Sequence, residues 1–142
     1  YEDWINLGRS ILPCIKGITI TKWKSPEFKI STEEWKNKYS HCEIALKLDQ
    51  DIDFDVDNEL VKRFIETDVK PPDSIFGRNG NPSSHYIWKG NLDFKQFVLA
   101  SELKNYCQKL PHGNTLCEIR TGVHYTIVPE SQHSKADETV KW

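Results

Sequence analysis

The stretch DIDFDVDN, Asp51 to Asn58, constrains this chain more than any other. Strict alternation of acidic and apolar residues fits a half-buried β-strand and nothing with a helical period. Residues two apart share a face, so Ile52, Phe54 and Val56 are expected to enter a core while Asp51, Asp53, Asp55 and Asp57 line the opposite side. Like charges on one strand face repel unless water, basic partners or a cation compensates them. Two readings follow. One is a solvated acidic edge that discourages aggregation, a role open to Asp51 and Asp53 above all. The other is a half-site for a hard divalent cation, which takes carboxylates together with waters and substrate phosphates. A helix beginning at Asp57 or Asn58 would add first-turn amides that stabilise anions, so the strand-to-helix junction is the expected place for a metal-bound phosphate.

A chain of 142 residues with 37% hydrophobic content can bury one core, so one domain over 1–142 is expected. The net charge of −2 offers no bulk attraction to a polyanion, and any nucleic-acid partner must be met by a local patch or by bound metal. Cys14, Cys42, Cys107 and Cys117 form neither a CxxC pair nor a Cys/His cluster, which argues against a zinc knuckle and fits a reducing cytoplasm. No run approaches the length of a membrane span, and the opening lacks a signal-peptide layout. The absence of any methionine, the first residue included, suggests a domain of a longer polypeptide.

Along the chain, EDWINLGRSIL spaces Trp4, Leu7, Ile11 and Leu12 helically up to Pro13, and GITITKW reads as a short strand. Ser31 and Glu34 have capping-box spacing before a short helix, EEWKNKY. CEIALKL and DIDFDV read as strands; ELVKRFIET follows as a helix with Leu60, Val61, Phe64 and Ile65 on its apolar face. SIFGR, a turn-rich RNGNPSS, the strands HYIWKG and DFKQFVL, a helix over SELKNYCQKL, and the strands TLCEIRT and HYTIVP complete the reading, with TVKW as a possible last strand. The class is α+β around a mixed or largely antiparallel sheet.

Two further segments carry polar groups suited to phosphate. In FGRNGNPSSHYIW, Arg78 offers a bidentate fork, and Ser83, Ser84 and His85 add hydroxyls and an imidazole in a Gly/Pro loop. In LCEIRTGVHYTIVPESQH, Glu118 and Arg120 share a strand face, either as a simple ion pair or with Glu118 as a third carboxylate beside the aspartates. Ser131 and His133 follow the turn at Pro129. Tyr86 and Trp88 are aromatic candidates for base stacking, with a core role the simpler reading.

In order, Asp55-Val56-Asp57, Ser83-Ser84-His85 and Glu118 resemble the three motifs of the archaeo-eukaryotic primase superfamily. The flanks DFDVDN, FGRNGNPSSHYIW, CEIRTG and IVPESQH, with the opening LGRSILPCIKG, are similar to its primase-polymerase branch of phages, plasmids and mobile elements, so the resemblance spans nearly the whole chain. It implies an RRM-like catalytic core with a small N-terminal αβ unit. It implies that Asp55, Asp57 and Glu118 hold two Mg²⁺ or Mn²⁺ ions, and that Arg78, Ser83 and His85, with Arg120, Ser131 and His133 as weaker candidates, contact a dNTP or NTP or the template. The aspartate run leaves the register open between Asp53/Asp55 and Asp55/Asp57; the latter is chosen because Asn58 and a helix follow it. Single-stranded DNA template and primer are the implied partners, with a helical C-terminal module or a helicase in a longer protein, no membrane, and a prokaryotic or viral replication setting. A metal-dependent nuclease, a non-catalytic RRM-like single-strand binder and an inactive polymerase relative are the alternatives.

Overall fold

A computed structural model describes residues 1–25, 27–90, 96–99 (backbone only), 117–133 and 137–142. The expected helix over SELKNYCQKL lies outside these residues.

The architecture is α+β with two antiparallel sheets. One contains β1 (Ile11–Ile15), β2 (Ile18–Thr19), β3 (Glu43–Lys47) and β9 (Tyr125–Ile127) in the order β2-β1-β3-β9. The other contains β4 (Asp51–Val56), β5 (Ser74–Arg78), β6 (Asn81–Lys89), β7 (Gln96–Leu99) and β8 (Cys117–Arg120) in the order β5-β6-β4-β8-β7. Every strand pairing is antiparallel. The pairs β3–β9 and β4–β8 are one ribbon that leaves the first sheet and enters the second. Where it crosses, Leu48 N–H donates to His124 O at 3.0 Å and Gly122 N–H to Leu48 O at 2.6 Å. Between the sheets Leu46, Leu48, Phe76, Ile87, Val128 and Val140 form a buried apolar cluster.

The opening departs from the helical expectation. Helix α1 covers only Glu2–Asn6. Gly8 takes φ +72, which suits glycine and turns the chain away, so Ile11 and Leu12 enter a buried strand. Pro13 sits inside β1 without penalty. Its carbonyl accepts from Ile20 N–H at 3.1 Å, so its missing N–H faces the same side, past the end of the two-residue β2. The Ser31 cap forms as expected, its hydroxyl accepting from Glu34 N–H at 3.1 Å before the short helix α2 (Thr32–Glu34) and a wider π-turn over Trp35–Tyr39.

Helix α3 (Glu59–Asp68) connects β4 to β5 and packs on the apolar face of the second sheet, where Val56, Ile65, Tyr86 and Cys117 are buried together. Its inward stripe is Val61, Ile65 and the following Val69, at i, i+4 and i+8. Leu60 and Phe64 stand about 100° round the helix from it and are 73% and 58% exposed, which corrects the expectation that they share its buried face. The RNGNPSS segment is not an open loop. Arg78 pairs with Asn81 across a two-residue Asn79-Gly80 turn, the strongest short hairpin signal, and β6 begins at Asn81. TVKW contributes only bridges, Lys141 to Gly77 and Thr139 to Gln132. No described helix is long and apolar enough to cross a membrane.

Candidate functional site

β4 is a central strand, between β6 and β8. The alternation places its aspartates on the face turned toward the first sheet, and register then fixes what joins them. Asp55 lies opposite His85 on one side and Glu118 on the other; Asp53 lies opposite Ile87 and Arg120. Directly opposed residues of an antiparallel pair share a face, so His85, Asp55 and Glu118 form one row across three strands.

The solvated-edge reading fails for the first two aspartates. Asp51 and Asp53 are both fully buried, each matched by cations: Arg9 pairs with Asp51, and Asp53 accepts from His85 Nδ1 at 3.1 Å with Arg120 Nη2 also at 3.1 Å. Burial alone would raise the Asp53 carboxyl, but the charges of His85 and Arg120 outweigh it and hold the group below the usual carboxylate range. Asp55 is 27% exposed, with Arg120 Nη2 at 2.6 Å from Oδ2 and His85 Nε2 at 4.0 Å from Oδ1. Its carboxyl is pushed up, by burial first and then by the neighbouring charges of Asp53 and Asp57, despite His85 and Arg120. For His85, burial works against the charged imidazole, yet Asp53 and Asp55 prevail and raise it. The His85 imidazole, its charged form favoured by Asp53 and Asp55, sits at the head of the row, stacked on Phe76 with ring centres 5.2 Å apart.

Asp57, just past the strand, accepts from Asn81 Nδ2 at 2.7 Å. Asn81 is oriented in turn by buried Lys62 of α3, which donates to its Oδ1 at 2.8 Å and to Pro82 O at 2.7 Å. Asn58 caps α3 by accepting from both Leu60 and Val61 N–H. This corrects the expectation of a free anion site at the helix start, because two of its first-turn amides are already spent on the cap.

A cleft of about 760 Å³ opens where the two sheets diverge. Asp55, Asp57, Glu118, His85 and Arg120 line its floor, and Arg78 and His133 line it as well. Arg78 Nη1 lies 3.5 Å from Glu138 Oε1, and His133 N–H donates to Glu138 O at 2.8 Å. Two of the expected contact residues lie elsewhere. Opposite Gly77 the β5–β6 register shifts, Ser83 adopts φ +50, and Ser84 lines the cleft in place of Ser83. Ser131 is buried, and its hydroxyl bridges the N–H and C=O of Ile44, both at 2.9 Å, which ties its turn to β3. Tyr86 and Trp88 face α3, Tyr86 donating to Glu66 at 3.0 Å and Trp88 to Lys70 O at 2.8 Å, so both serve the core. Sequence reasoning missed Asn81 and Lys62. The two-residue Asn79-Gly80 turn was the signal that would have placed Asn81 at the start of a strand.

Among the described residues no three Asp, Glu, His or Cys side chains already converge as a ligand set. The donor chemistry nonetheless suits a hard dication: Asp55, Asp57 and Glu118 supply only oxygen ligands to one cleft, and Asp55 already binds a cation, the Arg120 guanidinium. No protein-family model matches the chain, and no curated protein matches it in sequence.

Proposed function

We propose that this chain is a template-directed nucleotidyltransferase, a DNA primase or polymerase that adds nucleotides to a 3′-hydroxyl and releases pyrophosphate. The observation that carries the reading is the cross-strand row His85–Asp55–Glu118 on the floor of a cleft that also holds Asp57, Arg78 and Arg120. Carboxylates and phosphate-seeking cations together are what phosphoryl transfer needs, since its catalysis is mostly positioning and charge stabilisation.

Asp55, Asp57 and Glu118 would hold Mg²⁺ or Mn²⁺, with Asp55/Asp57 as the aspartate pair because Asp53 is fully buried while Asp55 and Asp57 line the cleft. Bound there, two such ions would activate the primer hydroxyl and stabilise the departing pyrophosphate. His85, whose charged form Asp53 favours, and Arg78 would bind the phosphates of a dNTP or NTP. Lys62, through Asn81, holds the Asp57 carboxylate in place. The strand order β5-β6-β4-β8, with α3 between β4 and β5, supports an RRM-like core to which β7 is added at the edge; α1, β1, β2 and β3 would form the small N-terminal unit. Single-stranded template and primer are the partners this activity requires, and replication in a prokaryotic, plasmid or viral setting is its natural context.

A nuclease would use the same carboxylates to activate water. The test is a labelled primer annealed to a longer template, incubated with the chain, Mn²⁺ or Mg²⁺, and dNTPs or NTPs. Primers that lengthen only with nucleotides support the proposal, whereas primers that shorten regardless of nucleotide overturn it in favour of the nuclease.

A further inference from the structure

Arg120 reaches from β8 to two carboxylates with a single nitrogen, Nη2, 3.1 Å from Asp53 and 2.6 Å from Asp55. The two contacts are unequal in setting. Asp53 is fully buried, whereas Asp55 is 27% exposed and opens to the cleft. Taking the guanidinium from Asp53 would leave a fully buried carboxylate leaning on His85, which is unfavourable; taking it from Asp55 leaves a carboxylate that solvent or a cation can reach. The Nε of Arg120 is buried without a hydrogen-bond partner among the described residues, so its hold on the site rests on the Nη2 contacts.

We propose that Arg120 is the internal counter-cation of Asp55, and that a divalent cation entering the cleft must take Asp55 from it. The inference rests on the reading of Asp55 as a metal ligand and adds the competitor that this ligand already holds. Asp53 keeps the displaced guanidinium anchored at the floor of the cleft. The arginine therefore lowers the affinity of the cleft for metal and offsets the repulsion among its clustered carboxylates.

The experiment titrates Mn²⁺ alone, following the free ion by electron paramagnetic resonance, into the native chain, Arg120→Gln, Asp55→Asn and the double variant. Arg120→Gln is expected to bind Mn²⁺ at least about tenfold more tightly than the native chain, the scale of removing one member of a close charge pair, and the gain is expected to vanish in the Asp55→Asn background. Equal or weaker binding by Arg120→Gln, or a gain that survives Asp55→Asn, overturns the proposal. Should Arg120→Gln fail to fold, Arg120→Lys keeps a cation on β8 directly opposite Asp53, but its shorter side chain draws that charge back from the diagonal Asp55; it is expected to bind Mn²⁺ more tightly than the native chain, and unchanged affinity overturns the role. If no form binds Mn²⁺, the metal reading itself falls. Native binding that needs Asp55 but ignores Arg120 removes only the counter-cation.

Discussion

Asn81 donates its amide to Asp57 at 2.7 Å, and Lys62 fixes that direction from behind by donating to the amide oxygen at 2.8 Å. A strand residue of the cleft is thus oriented by a buried lysine from the helix on the far side of its own junction. Lys62→Met should leave Asn81 Oδ1 and Pro82 O without their donor, at a cost of about 1–3 kcal/mol, read as a lower midpoint in urea unfolding with an unchanged slope. An unaltered midpoint would show that Asn81 is held by other means.

The Asp53–His85 pair makes stability depend on pH in two directions. His85 titrates higher in the folded state than its unfolded value of about 6.5, because Asp53 and Asp55 overcome the effect of burial. Its contribution is fully present below that unfolded value and is lost as pH rises through the raised folded value. Asp53 is lowered, burial being outweighed by His85 and Arg120, so its contribution is present above about pH 3.9 and is lost as pH falls through the lowered folded value. Urea unfolding from pH 2 to pH 9 checks both arms: His85→Asn should flatten the alkaline fall, and an alkaline fall as steep in His85→Asn as in the native chain would assign it to another group.

At Gly77 the β5–β6 hairpin leaves no room for a side chain. A Cβ there would stand 2.5 Å from Asn81 O and 2.7 Å from Ser83 N, both main-chain atoms that cannot swing aside. Gly77→Ala should destabilise the chain by about 1–3 kcal/mol, as overpacking does, and should disturb the amide resonances of Asn81 and His85 in an ¹⁵N correlation spectrum. A variant with native stability would mean that the hairpin has room the structure does not show.

Cys14 and Cys117 should be inert while the chain is folded. Burial first, then nearby carboxylates (Glu43 for Cys14; Asp55, Asp53, Glu118 and Asp57 for Cys117), pushes each thiol up to about 12. Iodoacetamide at pH 8 should spare both in the native protein and label both in urea, as mass spectrometry of tryptic peptides would report. Rapid native labelling of Cys117 would place α3 off the sheet.

The alternation in DIDFDVDN was legible because period 2 assigns faces without knowledge of neighbours: Val56 and Phe54 do pack toward α3, and the aspartates do share the other side. What alternation leaves open is whether a strand is central. A central strand buries both faces, so Asp51 and Asp53 needed Arg9, His85 and Arg120, partners set by long-range register that no local pattern encodes. The ion pair and the cleft carboxylate weighed for Arg120 and Glu118 turn out to divide between them: Arg120 pairs with the aspartates, while Glu118 lines the cleft opposite Asp55. Ile11 and Leu12 misled because apolar residues at spacing four suit a helix, while the turn at Gly8 that ends it is a matter of backbone conformation. Ser83 and Ser84 are adjacent and chemically identical, and only the shifted register of the hairpin decides which one lines the cleft.

The most direct test compares nucleotide incorporation by the native chain and by Asp55→Ala/Asp57→Ala on primed and unprimed single-stranded templates with Mn²⁺ or Mg²⁺. Extension by the native chain is expected, with a loss of at least about a thousandfold in the double variant, because charge stabilisation of the transferring phosphoryl group is removed. Extension that persists in a folded double variant, or no incorporation by a native chain that binds Mn²⁺ through Asp55, would contradict the proposed activity.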